Sequence, residues 1–232
     1  MALSIPRVSI DERFREIRTL LSHIKTTESV DVPPVDSEET KILRELFYVH
    51  LYGALEQSLN EATESFLKAI SALGLKNWDL SLRFLPTAMN SHFKGLADAQ
   101  TQKKWQKRLD FVDAIYNGDA CRIETSVFSP HLQSSETGTI GDVLSYLGIS
   151  PDTIKSSADR FYVDEVVQKR HQVAHGRATP TSVGARGRST DLELRLDAVR
   201  RTVDLFAELL ERHYDSLNFL NAPAQARLLE GA

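Results

Sequence analysis

Apolar residues recur at three- and four-residue spacings through most of the chain, the spacing that lines one face of an α-helix. Phe14, Ile17, Leu20, Leu21 and Ile24 predict a first helix ending near residue 24, with Ser9 and Glu12 placed as a capping box. Residues 26–35 contain Pro33-Pro34 and read as an extended linker. Asp36-Ser37-Glu38-Glu39 caps a longer helix over 38–73 that stops at Gly74. Its stripe is Leu43, Leu46, Phe47, His50, Leu51, Ala54 and Leu55. That helix would span on the order of 50 Å, with a bend expected near Gly53.

Between 75 and 90 the pattern weakens. Trp78, Leu80, Leu82, Phe84 and Leu85 alternate in part like a strand, but Pro86 breaks the run, so irregular or short-helical packing is expected. A third helix is predicted over 96–116, a polar loop over 119–138, and a short helix over 139–147 closed by Gly148. Ser150-Pro151 opens a turn into the next helix. There Val163, Val166, Val167, Val173 and Ala174 form the stripe and Gly176 stands at the end. Residues 177–189 carry three arginines and no acid, and read as a flexible basic loop. Thr190-Asp191-Leu192-Glu193 caps a last helix to about residue 214, with Leu192, Leu196, Val199, Val203, Phe206 and Leu210 inward. Helices with caps and no convincing strand make an all-α bundle. The expected organisation is an N-terminal helix and linker over 1–35, a helical domain over 36–217 and a tail over 218–232.

Composition narrows the setting. No apolar run approaches the length of a membrane span, and the first 18 residues are too charged for a signal-peptide core. A single cysteine, Cys121, excludes an intramolecular disulfide and fits a reducing cytoplasm. The net charge of −4 means that contact with nucleic acid must come from local basic patches.

The chemistry concentrates where the valine-rich helix ends. Arg170 falls inside its apolar stripe, and a buried guanidinium needs a carboxylate, a phosphate or a cleft. His171 and His175 are four residues apart and share the flank beside it. A core helix with an Arg–Glu pair and surface histidines would use the same residues. The order Arg170-His171-Gln172-Val173-Ala174-His175-Gly176, however, resembles the signature of the HEPN superfamily: arginine, a polar residue, then histidine at a helix end. The segment 46–56 resembles the second helix of the HEPN branch associated with RNA ligase and phosphatase operons. The resemblance covers about half of the chain.

That resemblance implies a bundle of about four core helices plus extra helices, and a metal-independent endoribonuclease. RNA carries its own nucleophile, the 2′-hydroxyl. Cleavage to a 2′,3′-cyclic phosphate needs a proton acceptor, a proton donor and positive charge on the phosphorane. His175 is the candidate acid/base, Arg170 the candidate phosphate ligand, and His171 a positioner or second proton carrier. Tyr52 and Glu56, with His50, are candidates to orient them from a facing helix; a core tyrosine with a solvated glutamate is the plainer alternative. Phosphate contacts are expected from Arg177, Arg186 and Arg188 of the basic loop, and from Lys103, Lys104, Lys107 and Arg108 around Trp105. A solvated charged face would account for the second group equally.

The resemblance further implies a homodimer with a composite site, RNA as partner, and a defence, toxin–antitoxin or RNA-processing setting with an antitoxin or other regulatory protein. No cofactor and no metal are expected. His171 and His175 have zinc-ligand spacing, but Gln172 stands where a metalloprotease needs glutamate, and no third ligand is apparent. Some HEPN toxins carry a tyrosine two residues after the motif histidine for modification by their antitoxin; here Arg177 occupies that place. The rival reading is a non-catalytic HEPN helical module for protein or nucleotide binding.

Overall fold

A computed structural model describes residues 3–230. Among them the chain is helical, with no strand; two isolated bridges, Lys76 with Ala120 and Leu80 with Leu220, are its only β pairing. The long elements are α1 (Arg7–Thr27), α2 (Glu38–Ser71), α9 (Arg160–Ala174) and α11 (Ser189–Asp215). The shorter ones are α3 (Leu85–Ala88), α4 (Asn90–Ala97), α5 (Lys104–Tyr116), α6 (Ser129–Leu132), α7 (Thr137–Tyr146), α8 (Asp152–Lys155), α10 (Pro180–Gly184) and α12 (Ala222–Glu230).

α2 is the axis of the bundle. Ser37 caps it by accepting the Thr40 amide, and Gly74 follows its end at φ +64°. The predicted single stripe is too narrow. Tyr48, Tyr52, Leu59, Ala62, Phe66 and Leu67 are buried as well, because α1, α9, α10 and α11 cover different sides of this helix. The same crowding reassigns part of the predicted stripe: Leu46 and His50 face outward.

α1 begins at Arg7, not at the Ser9 capping box. Pro6 precedes it with its φ already helical, so the first turn forms earlier and Ser9 lies within it. α1 packs on α2 and α11. Within 1–35, read as an N-terminal helix and linker, Ile10, Phe14, Ile17, Leu21 and Ile24 belong to the shared core. Of the tail read over 218–232, the described residues 218–230 pack on the bundle: Phe219 is fully buried, α12 follows, and Arg227 pairs with Asp79 at 2.8 Å. The predicted third helix is broken at 98–103 into α4, a 3₁₀ turn and α5. The 119–138 loop contains α6, and the helix expected over 139–147 starts two residues earlier.

The linker between α1 and α2 holds the most buried charge. Arg44 on α2 is fully enclosed and reaches Glu28 at 2.6 Å and Asp36 at 2.7 Å. Glu28 also accepts the backbone N–H and the hydroxyl of Ser189, the first residue of α11. Burial pushes both carboxyls up, but these hydrogen bonds outweigh it and hold Glu28 and Asp36 below their ordinary values. One arginine thus joins the α1–α2 linker to the start of α11, and its second amino group faces the Gly184 carbonyl at 3.4 Å.

The loop over 177–189 is less free than its composition suggests. Thr179 caps α10, and α10 lies directly on α2. A Cβ on Gly184 would sit 1.7 Å from the Lys41 carbonyl oxygen, so only glycine permits this approach. Arg188 is drawn inward, donating to the Ser29 carbonyl at 2.8 Å and lying 3.5 Å from Glu28.

Candidate functional site

α9 presents Val163, Val166 and Val167 to the core. Val173 is partly buried against it, whereas Ala174, placed in the same stripe from the sequence, is exposed. The helix ends in a Schellman motif. The Gly176 amide donates to the Val173 carbonyl, the Arg177 amide donates to the Gln172 carbonyl at 2.8 Å, and Gly176 takes φ +65°. His175 therefore stands at the cap, exposed, one turn from the half-buried His171. Their ring centroids are 6.1 Å apart.

α2 supplies the facing wall through Tyr48, Tyr52 and Glu56, one turn apart each. The Arg170 guanidinium lies over the Tyr52 ring at 4.5 Å, and the His171 ring packs at 6.1 Å from the same tyrosine. One turn back along α2, Tyr48 meets Lys169, the residue before Arg170, with Nζ 4.2 Å from the ring centroid and 2.9 Å from the hydroxyl. The two cations differ in what else they meet. Lys169 is held by Glu165 at 2.9 Å, and Glu165 in turn by Arg195 at 2.7 Å. Among the described residues no carboxylate pairs with Arg170. Its guanidinium is oriented by an aromatic face and keeps its hydrogen-bond donors for something else.

A third wall comes from the segment before α7. The Tyr52 hydroxyl donates to the Gln133 carbonyl, and Glu136 acts electrostatically on His171. Asp164 on α9 fixes this segment by accepting the Thr137 amide at 2.8 Å and its hydroxyl at 3.0 Å. Burial, the negative charge of Glu56 and its hydrogen bond push the Tyr52 hydroxyl up to about 12, so it stays a donor. Burial pushes the His171 imidazole down, and the positive charges of Arg170, His175 and Arg177 act the same way against Glu136. His171 is thereby held neutral at neutral pH, with a lone pair free to accept a proton.

Arg170, His171, His175, Tyr52 and Glu56 thus share one surface, with Arg177 at its edge. His50 lies elsewhere. Two residues from both Tyr48 and Tyr52, it points to the opposite side of α2 and lines a hollow with Arg13, Glu16, Ile17 and Leu20. Arg186 is exposed, whereas Arg188 is engaged at Glu28 and Ser29. Lys103, Lys104, Lys107 and Arg108 are all exposed at the start of α5, which packs on α4 and the adjoining turns. There Arg108 lies 4.7 Å from the Trp105 ring and Lys107 pairs with Asp110 at 3.7 Å.

Sequence reasoning passed over Lys169, Glu136 and Asp164. Lys169 could not be paired from spacing, because Tyr48 and Tyr52 are one turn apart on α2 while Lys169 and Arg170 are neighbours on α9. Glu136 and Asp164 carried no local signal, because their roles depend on how α7 meets α9. Among the described residues no group of three or more His, Cys, Asp and Glu side chains has the arrangement of a metal site, and no helix is long and apolar enough to cross a membrane.

A bundle closed around one long central helix, with an Arg-x4-His step at the end of a facing helix, defines a HEPN domain. The RiboL-PSP-HEPN family model matches residues 9–218, nearly the whole chain, and the chain belongs to that family. No curated protein and no solved structure matches it.

Proposed function

We propose that this HEPN domain is an endoribonuclease that cleaves RNA by attack of the 2′-hydroxyl on the adjacent phosphate. The observation that carries the reading is the Arg170 guanidinium, lying over the Tyr52 ring with no carboxylate partner among the described residues, beside the His171 imidazole packed on the same ring. Arg170 binds two non-bridging oxygens of the scissile phosphate and offsets the charge of the phosphorane. One imidazole accepts the 2′-hydroxyl proton as the O2′–P bond forms. The other donates a proton to the 5′-oxygen as the P–O5′ bond breaks, leaving a 2′,3′-cyclic phosphate and a 5′-hydroxyl. His171, held neutral, is suited to accept; His175, exposed at the helix cap, is suited to donate. The positive charge the reaction needs comes from the guanidinium, so the scheme uses no metal. Arg177 and Arg186 take neighbouring phosphates.

The site is open on one side, and we infer that a second copy of the chain closes it, bringing two Arg–His steps to a shared cleft. Sedimentation of the purified protein tests this: a concentration-independent monomer that still cleaves RNA overturns it. Control by a partner protein in a defence or RNA-processing setting fits the family and belongs to the same proposal.

The deciding experiment is cleavage of end-labelled RNA in EDTA by wild type, Arg170→Ala and His175→Ala. Wild type is expected to leave cyclic-phosphate ends. Each variant should lose about 10²–10⁴-fold in rate with an unchanged circular dichroism spectrum. Undiminished cleavage by either variant refutes the assignment. RNA binding without cleavage by all three identifies a binding module instead.

A further inference from the structure

Beyond the Arg–His surface the fold builds a second polar-aromatic hollow. It lies between the α3 region on one side and α6 with the C-terminal end of α7 on the other, and measures 340 Å³, within the size range of small-ligand sites. Tyr146 forms one wall, half-exposed and stacked on the buried Phe128 with 6.1 Å between centroids and 18° between planes. His131 stands edge-on to both rings at 6.2 Å. Leu82 and Pro86 complete the apolar side. Next to it lies a hollow of 270 Å³ with Ser150 and Gly148 in its wall, and Arg83 and Ser145 line both. Neither hollow is lined by an acid. Among the described residues Arg83 has no carboxylate partner, although it stands where the two hollows meet.

An aromatic platform beside an unpaired guanidinium is the pairing that recognises a planar base joined to a phosphate. We propose that this double hollow is a nucleotide-binding site, with the base against Tyr146 and His131 and the 5′-phosphate on Arg83. The place of the hollow gives it a link to the proposed cleavage site. His131 is two residues before Gln133, whose carbonyl holds the Tyr52 hydroxyl, so one short turn, at most about 7 Å long, borders both. A nucleotide held here is either free or part of an RNA strand that continues to Arg170. The second case rests on the ribonuclease reading; the first does not.

Calorimetric titration of the full chain with adenosine 5′-monophosphate, adenosine and a 2′-O-methyl RNA hexamer tests the assignment, on wild type, Arg83→Gln, Tyr146→Ala and His175→Ala. Both Arg83 and Tyr146 are open to solvent, so these changes leave the core intact, and circular dichroism checks that they do. The monophosphate should bind at least tenfold tighter than adenosine. Arg83→Gln should erase that difference, and Tyr146→Ala should weaken both ligands. His175→Ala should bind monophosphate and adenosine like wild type while failing to cleave unmodified RNA, which separates this site from the cleavage reading. A hexamer that binds tighter than the monophosphate, and loses affinity in Arg83→Gln, assigns the site to an RNA strand. Equal or weaker hexamer binding assigns it to a free nucleotide. The proposal is overturned if monophosphate and adenosine bind wild type equally, or if neither mononucleotide nor hexamer binding responds to Arg83→Gln and Tyr146→Ala.

Discussion

Tyr52 does two separable jobs, and the side chain divides between them. Its ring carries the Arg170 guanidinium, while its hydroxyl ties α2 to the Gln133 carbonyl. Tyr52→Phe keeps the platform and removes a buried donor, so cleavage should stay within about threefold of wild type while stability drops by about 1 kcal/mol. Tyr52→Leu keeps the apolar volume and removes the platform, and should cost about tenfold in rate. Cleavage assays and chemical denaturation on both variants read the two losses independently. Equal activity in the two variants would show that the ring does not orient Arg170. His171 adds a pH signature. Its pKa is lowered from 6.5 by burial first and by neighbouring positive charge second, so the acid limb of the rate profile should fall below pH 6.5. Measured against wild type, His171→Asn should lose that limb together with most of the rate.

The elements differ in how far the sequence announces them. α9 was legible because its valines repeat at helical spacing and Gly176 marks the stop. The end of that helix places Arg170, His171 and His175 by local rules alone, so the centre of the candidate site could be found without coordinates. Tyr52 and Glu56 were legible as a flank, but which of the neighbouring polar side chains joined them was not. His50 belongs to the other side of α2, and only the partners of a helix covered on several sides decide such an assignment. The 177–189 segment was misjudged for a related reason. Its glycines and arginines suggest mobility, whereas Gly184 is there so that α10 can touch the backbone of α2. Gly184→Ala should therefore destabilise the protein by about 1–3 kcal/mol, seen as a lower denaturation midpoint with the m-value unchanged. A neutral result would show that α10 can lift from α2 at little cost.

Across the whole molecule the buried ionisable groups set an acid limit. His213 on α11 is enclosed beside Phe66 with Nε2 unpartnered. Burial pushes it down from 6.5 to about 4, against a hydrogen bond with the Leu147 backbone. The folded state thus binds fewer protons than the unfolded chain between these values. The stability linked to His213 is complete above pH 6.5 and is lost as pH falls towards 4, on the order of 3 kcal/mol in all. Glu28 and Asp36 extend the loss below that range, because both are held below 4.5 and 3.8 in the folded state. Melting temperature against pH should show both phases, and His213→Leu should flatten the upper one. Arg44→Met tests the clamp itself: it removes the closest cation from Glu28 and Asp36 and leaves them only the more distant, half-exposed Arg188, at a cost of about 3–5 kcal/mol. Melting temperatures that do not move would refute that role.

The order of synthesis gives the central helix a particular history. α2 is made after α1 and about a hundred residues ahead of α9, α10 and α11, which cover its other sides. Contacts so distant along the chain form slowly, and during that interval the apolar sides of α2 stand open to water and to other chains. The clamp works on the same schedule, since Glu28, held by Arg44, meets Ser189 only when α11 begins. A growing chain therefore carries Tyr52 and Glu56 long before it carries the arginine and histidines that face them, and the surface is complete only once α9 has been made.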